Sequence, residues 1–474
     1  MTSRRPESSV ILVVADGVRS DTLRKAIASG QTPALARLAA SGGQHDITTV
    51  FPSVTGLAYA PFVAGRSPAA VGLPGLRWYD RTRSLLSFPH FTRSYIGYDI
   101  RNVDGDFEAG VPTLFELARP SLGAMTMIGR GLRPQDWVGR GFRWTVRAAR
   151  THFRGSLGGW LQIDRDVAAD VVERVRRTRP RYALLALLGI DKASHSEGHE
   201  GPSVTEALRI VDGTVARLRD DAERDGRAEE QRIWVVSDHG HSPVRYHEDL
   251  AGLVRDRGHR VIAHPWIYAL RRPEVAVMVS GNAMAHLYVN LDARERPFWP
   301  QLRERWGALV HSLEQRESID LLLLPASPAS CIIMGRGRGE AILSWSNGQY
   351  SYRPGTGDPL GVGALYSLDA DAAHSATLDS DYPDALVQIA HVAGGSRSGE
   401  IILSASRDWD FRARYEPIPH VSSHGALHRE HMIVPLLLDR PPVRSPMRTV
   451  DLMASTCDAL GIATPAGVEG RSFY

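Results

Sequence analysis

The chain has 474 residues, 43% of them apolar and 23% charged, with a net charge of +3. That is enough chain for a large α/β domain with an insertion, and too even a balance to call for a nucleic-acid polymer or a membrane as partner. Cys331 and Cys457 lie far apart, which excludes a cysteine metal or redox motif and fits a reducing, cytoplasmic compartment.

The first residues carry Arg4 and Arg5, but the apolar run after them is broken by Asp16. It is too short for a secretory leader, so the arginines read as a solvated tail. No stretch approaches the roughly 18 apolar residues of a membrane span. SVILVVAD, residues 9–16, is an unbroken apolar run ending on an acid, the pattern of a central parallel strand buried on both faces. TPALARLAASG, 32–42, has helical spacing, with Thr32 at the N-cap, Pro33 in the first turn and Gly42 and Gly43 as the stop. FPSVTGLAYAPFVAG, 51–65, fits neither pattern and places Thr55 and Gly56 in a turn of its own.

Further along, IDRDVAADVVERVRRT (163–178) predicts an amphipathic helix and YALLALLGID (182–191) a second buried strand ending on an acid. GPSVTEALRIVDGTVARLRDDAERDG (201–226) predicts a long helix, and RIWVVSDHG (232–240) a third strand ending on an acid. This alternation predicts a doubly wound, mostly parallel sheet over residues 8–268. From 269 to 410 the texture changes to shorter strands, among them AMAHLYVNL, AILSWSNGQYSYRP and EIILSASRDW, read as a smaller inserted cap. HMIVPLLLD returns the chain to the main domain over 411–474.

Asp16, Asp191 and Asp238 stand at strand ends, where open α/β sheets place their ligand crevice. One such acid is as readily a helix cap. Three converging carboxylates repel unless a cation neutralises them. His195 follows Asp191 by four residues, and His239 adjoins Asp238. Mixed carboxylate and imidazole donors suit zinc first, with manganese or iron as alternatives. In PHVSSHGALHREH, His424 lies in a small-residue loop and reads as a ligand, whereas His420, His428 and His431 read as bystanders. His241 and Ser242 read as supporting or loop residues.

These segments, in this order, resemble the alkaline phosphatase superfamily, and within it the type I phosphodiesterase/nucleotide pyrophosphatase branch. The likeness covers roughly residues 8–260 and 415–474. It implies two divalent metals in a doubly wound α/β domain and a threonine that attacks phosphorus. Carried over by position, Asp191, His195 and His424 would hold one metal. Asp16, Asp238 and His239 would hold the other together with the nucleophile. The family places its threonine ten residues before the glycine of a TGLYP-like turn; AGRSP supplies that glycine as Gly65, and ten residues back is Thr55. A bound divalent metal lowers the pKa of such an alcohol, and a pair about 3.5–4 Å apart stabilises attacking and leaving oxygens. A covalent phospho-threonine intermediate is implied.

The branch also carries an asparagine in a DNNMYD-like stretch, where this chain reads GLRWYD, residues 75–80, with Leu76 at the asparagine position. Arg77 is the expected replacement, holding phosphate oxygens by charge; the alternative pairs Arg77 with Asp80. A fixed positive charge favours dianionic groups. The resemblance makes a phosphodiesterase or nucleotide pyrophosphatase acting on a small phosphoester the leading expectation, and the Arg77 charge makes a phosphonate or phosphomonoester hydrolase on the same core the second. A catalytically inactive binding protein is the third reading. A sulfatase lacks its cysteine or serine motif here, and a phosphoglycerate mutase its serine and long insertion.

Overall fold

The unbroken apolar runs form the middle of a seven-stranded sheet. The computed structural model describes residues 8–83, 91–265, 272–412 and 420–474; Arg4, Arg5 and the expected boundary at 268/269 lie outside the described residues. Across the sheet the strands run Gln44–Thr48, Ile433–Leu437, Gln231–Val236, Ser9–Ala15, Tyr182–Leu187, Ser121–Ala124 and Trp137–Val138. Only Ile433–Leu437 runs against the rest. Val14 stands opposite both Ala186 and Val236. The central strands therefore end level, and the acids that follow them emerge on one edge.

Both faces of the sheet are covered, as the lack of alternation requires. Val10, Leu12 and Val14 point into one layer with Phe62, Leu452 and Met453. Ile11, Val13 and Ala15 point into the other, against Leu35, Val171 and Val211. That second layer holds the helices Pro33–Gly42, Leu157–Thr178 and Pro202–Arg224. Each such fully buried aliphatic side chain contributes roughly 1.5–3 kcal/mol.

Among the described residues, strands from Val261–Ile262 to Ile401–Ala405 build a second, nine-stranded sheet that is mostly antiparallel. Here the period is two: Leu322 and Leu324 pack with the Trp299–Glu314 helix, while Leu321 and Leu323 pack with Ala385–Gly394. A three-stranded ribbon, 408–410, 242–247 and 422–423, joins the two bodies beside the edge where the acids emerge. Among the described residues no helix is long and apolar enough to cross a membrane.

Candidate metal centre and nucleophile

Four segments converge beyond the central strands. Asp16 leaves the first strand and is followed by Gly17, whose N–H donates to Asp238 Oδ1 at 3.2 Å. Gly17 has φ +73°, and a Cβ there would stand 2.9 Å from His241 Nε2, so glycine lets the chain turn under the cluster. The helix Gly189–Glu197 places Asp191 and His195 one turn apart on the same face. Its first turn is tied down by buried Asp164, which accepts from Leu188 N at 3.1 Å and Gly189 N at 2.7 Å. Asp238 and His239 follow the Gln231–Val236 strand, and His424 arrives on the loop after the ribbon strand Ser422–Ser423.

Asp191 Oδ1 is the meeting point. His241 Nε2 lies 3.0 Å from it, His195 Nε2 3.3 Å, His424 Nε2 3.4 Å and His239 Nε2 4.0 Å. The Nδ1 atoms of these rings are already engaged. His195 Nδ1 donates to Ser422 O at 2.8 Å, His424 Nδ1 to Ser53 O at 3.1 Å and His239 Nδ1 to Gly240 O at 3.0 Å. Donation from Nδ1 leaves an acceptor lone pair at each Nε2. Those lone pairs face a carboxylate oxygen, an arrangement of acceptors that needs a cation between them.

A second group forms around Asp16, Asp238 and His239. His239 Nε2 is 3.5 Å from Asp16 Oδ1 and 3.6 Å from Asp238 Oδ2. Asp238 Oδ2 is buried and has no hydrogen-bond partner among the described residues, an orphan that a metal ion would satisfy. Burial and the carboxylates of Asp238 and Asp191 hold the Asp16 carboxyl well above the usual carboxylate range. Burial, with the Asp191 charge, also raises Asp238. Asp191 goes the other way: against its burial, the Lys192 ammonium and His195 hold it low. Burial pushes the His241 imidazole down to about 3, so that ring is neutral and can serve as a donor to metal. The ligand atoms of Asp191, His239, His241 and His424, and separately those of Asp16, Asp238 and His239, lie within 4.8 Å of one another. Two overlapping oxygen–nitrogen sets sharing His239 fit a pair of divalent metals.

Thr55 stands at the mouth. Within residues 51–60 it is the one residue not buried. Its Oγ1 lies 3.1 Å from Asp16 Oδ1 and 3.0 Å from His239 Nε2. Gly56 follows with φ +83° and starts the short helical turn that carries Tyr59.

The structure thus brings together Asp16, Thr55, Asp191, Asp238, His239 and His424, while His195 touches Asp191 at 3.3 Å but stands in neither set of mutually close ligand atoms. His241, read from sequence as supporting or loop, stands instead among the ring nitrogens around Asp191; its spacing in SDHGH, two residues beyond His239, is the signal that places it there. Tyr59 is a second addition: its hydroxyl donates to Asp16 Oδ2 at 2.5 Å, four residues after Thr55 on the same turn. Arg77 is half-buried on the strand Arg77–Tyr79, and among the described residues no hydrogen bond or ion pair joins it to the cluster. Asp80, its alternative partner, is engaged by Arg93 and Thr82. His428 pairs with Glu430 and His431 with Ser242. His420 stacks on His195 at 4.2 Å and accepts from Asn282 Nδ2 at 2.9 Å.

The fold is shared with solved structures of low sequence identity. A murine ectonucleotide pyrophosphatase/phosphodiesterase 5, an inactive threonine-to-alanine variant in complex with AMP, is 15% identical with a TM-score of 0.57, covering 97% of this chain and 96% of that one. Phosphonoacetate hydrolase from Sinorhizobium meliloti, in complex with phosphonoacetate, is 17% identical with a TM-score of 0.59 and 97% coverage of both chains. Human ectonucleotide pyrophosphatase/phosphodiesterase 5 is 15% identical with a TM-score of 0.56 and 96% coverage of both. A search of curated proteins gives no match. Residues 10–327 match the model of one family, and on that match the chain belongs to the type I phosphodiesterase / nucleotide pyrophosphatase family, a family of metal-dependent phosphoester hydrolases.

Proposed function

We propose that this phosphoester hydrolase works through Thr55, with a phosphodiester or nucleotide pyrophosphate as substrate. The observation that carries the reading is the Thr55 hydroxyl within hydrogen-bond reach of both Asp16 and His239. Asp191, His195 and His424, joined by His241, would hold one divalent metal, and Asp16, Asp238, His239 and Thr55 the other. Zinc suits the donor set best, with manganese or iron as alternatives. Bound there, the metals lower the pKa of the hydroxyl and offset charge on the phosphoryl oxygens.

The chain's own residues do the rest. Asp16 Oδ1 and His239 Nε2 aim Thr55 Oγ1 outward, and Tyr59 fixes Asp16 from behind. Thr55 Oγ1 loses its proton and forms a bond to phosphorus as the ester P–O bond breaks, and the alcohol or phosphate leaving group departs with its electron pair and takes up an equivalent proton through solvent. Water then attacks the phospho-threonine, releasing the phosphoryl product and restoring the Thr55 hydroxyl. The inactive threonine-to-alanine state of the murine neighbour supports a threonine in this role.

Arg77 is the proposed cationic contact for non-bridging oxygens. Its neighbour Leu76 is anchored through N–H to Ser280 Oγ at 2.7 Å. The Gly281 and Asn282 turn that follows Ser280 touches the His424 loop through Ser423 and an Asn282–His424 bridge. Residues 269–410 are the proposed cap, shaping the leaving-group side through that turn.

A phosphonate or phosphomonoester is the second reading, favoured by the likeness to phosphonoacetate hydrolase. Turnover of bis-p-nitrophenyl phosphate against p-nitrophenyl phosphate by metal-loaded protein separates them. Diester preference, lost with chelator, supports the proposal. Preference for the monoester transfers it to the second reading, and inertness toward both esters and phosphonoacetate overturns it.

A further inference from the structure

The helix Phe142–Phe153 has no buried residue. Phe142, Val146, Ala149 and Phe153 recur at helical spacing along one side. That side faces water: Phe142 is 84% and Phe153 74% exposed. Trp144 and Ala148, on the other side, pack against the helical layer of the central sheet. An apolar stripe turned away from the core asks for a second surface to cover it.

The charges around the stripe say which surface. Between Asp136 and Asp164 the chain carries five arginines and no acid. Arg147 pairs with Asp166 at 2.6 Å and Arg140 lies over Trp137. Arg143, Arg150 and Arg154 have no ion-pair partner among the described residues. Arg143, Arg147, Arg150 and Arg154 join Phe142 and Val146 in lining a groove of about 510 Å³. A second copy of this chain would bring arginines against arginines. A soluble anion would answer the arginines and leave the phenylalanines in water. A layer with negative headgroups over an acyl interior answers both.

We propose that Phe142–Phe153 is an interfacial helix that seats this protein on an anionic phospholipid surface. Phe142, Val146 and Phe153 enter the acyl boundary, and Arg143, Arg150 and Arg154 meet lipid phosphates. The near-neutral charge of the whole chain hides this local excess, which is why the composition alone argues against a membrane partner. From Arg154 the chain turns into Leu157–Thr178, whose Trp160 ring centre lies 5.8 Å from Lys192 Nζ. Lys192 in turn pairs with Asp191 at 2.8 Å, so the seated face adjoins the metal centre.

Vesicle flotation of the full chain tests it, comparing phosphatidylcholine alone with vesicles containing about one third phosphatidylglycerol. Binding to the anionic vesicles at least tenfold above the neutral ones is expected, falling in high salt. Each of Arg143→Gln, Arg150→Gln and Arg154→Gln should weaken it about fivefold. Phe142→Ser with Phe153→Ser should abolish it while turnover of a soluble chromogenic ester stays within twofold, which shows that the variant folds. No binding to anionic vesicles overturns the proposal. Full binding by the double phenylalanine variant overturns it as well, as does a concentration-dependent dimer that this variant dissolves.

Discussion

The Thr55 hydroxyl lies 3.1 Å from Asp16 Oδ1, across 39 residues of chain. One residue ends the first buried strand and the other opens a turn that fits no regular element, so their meeting is a product of the fold. If Thr55 is the nucleophile, Thr55→Ala should lower kcat by about 10³-fold or more while metal content is unchanged. Thr55→Ser should recover part of it. Steady-state turnover of a chromogenic ester reads both, and a Thr55→Ala enzyme within fivefold of the parent contradicts the assignment.

Gly56 sets the position of Thr55, the proposed nucleophile, through its backbone. At φ +83°, a Cβ would strain the chain and stand 2.4 Å from Met127 Cε and 3.1 Å from Met127 Cβ. Gly56→Ala should cost about 1–3 kcal/mol of stability and displace the hydroxyl, lowering kcat more than tenfold. Thermal unfolding and turnover measured together check this.

Arg77→Ala should lower turnover well over tenfold if its guanidinium holds phosphate oxygens, with the larger loss on dianionic substrates. A change under twofold removes Arg77 from the mechanism and leaves the metals to carry the phosphoryl charge.

Asp164, which ties down the first turn of the Gly189–Glu197 helix, predicts a pH dependence of stability. Burial pushes its carboxyl up to about 7, against the backbone N–H groups of Gly189 and Leu188 that favour its charge. The folded state therefore keeps a proton that the unfolded chain releases near the ordinary 3.8. Its contribution to stability is full below about pH 4 and is lost as pH rises through about 7, a change of the order of a few kcal/mol. Denaturant unfolding across that window should show the slope in the parent and a flatter profile in Asp164→Asn.

Much of the fold was legible because its central strands are buried on both faces. Residues 9–16, 182–191 and 232–240 had no competing pattern, and the acids closing them marked the site edge. Thr32, Pro33 and Gly43 bracketed the helix Pro33–Gly42. The nine-stranded sheet was seen only as scattered strands, since pairing such as Leu322 with Leu403 joins residues far apart in sequence. The Phe142–Phe153 segment adds nothing to a core pattern in the sequence, since its apolar stripe lies outside the core. Tyr59 and His241 were missed as site residues for a different reason. The spacing of His241 after His239 is a signal that a loop histidine also satisfies, and Tyr59 carries no sequence signal of its own until its hydroxyl is seen to reach Asp16.

Counting metal ions per polypeptide in the purified chain, alongside Asp16→Asn and His241→Ala, decides whether two cations sit among these side chains. About two divalent ions are expected in the parent, with loss of one in Asp16→Asn. His241→Ala should bind metal about 10–100-fold more weakly. A parent that holds no divalent metal after incubation with zinc or manganese, and cleaves phosphoesters unchanged in chelator, would contradict the two-metal reading.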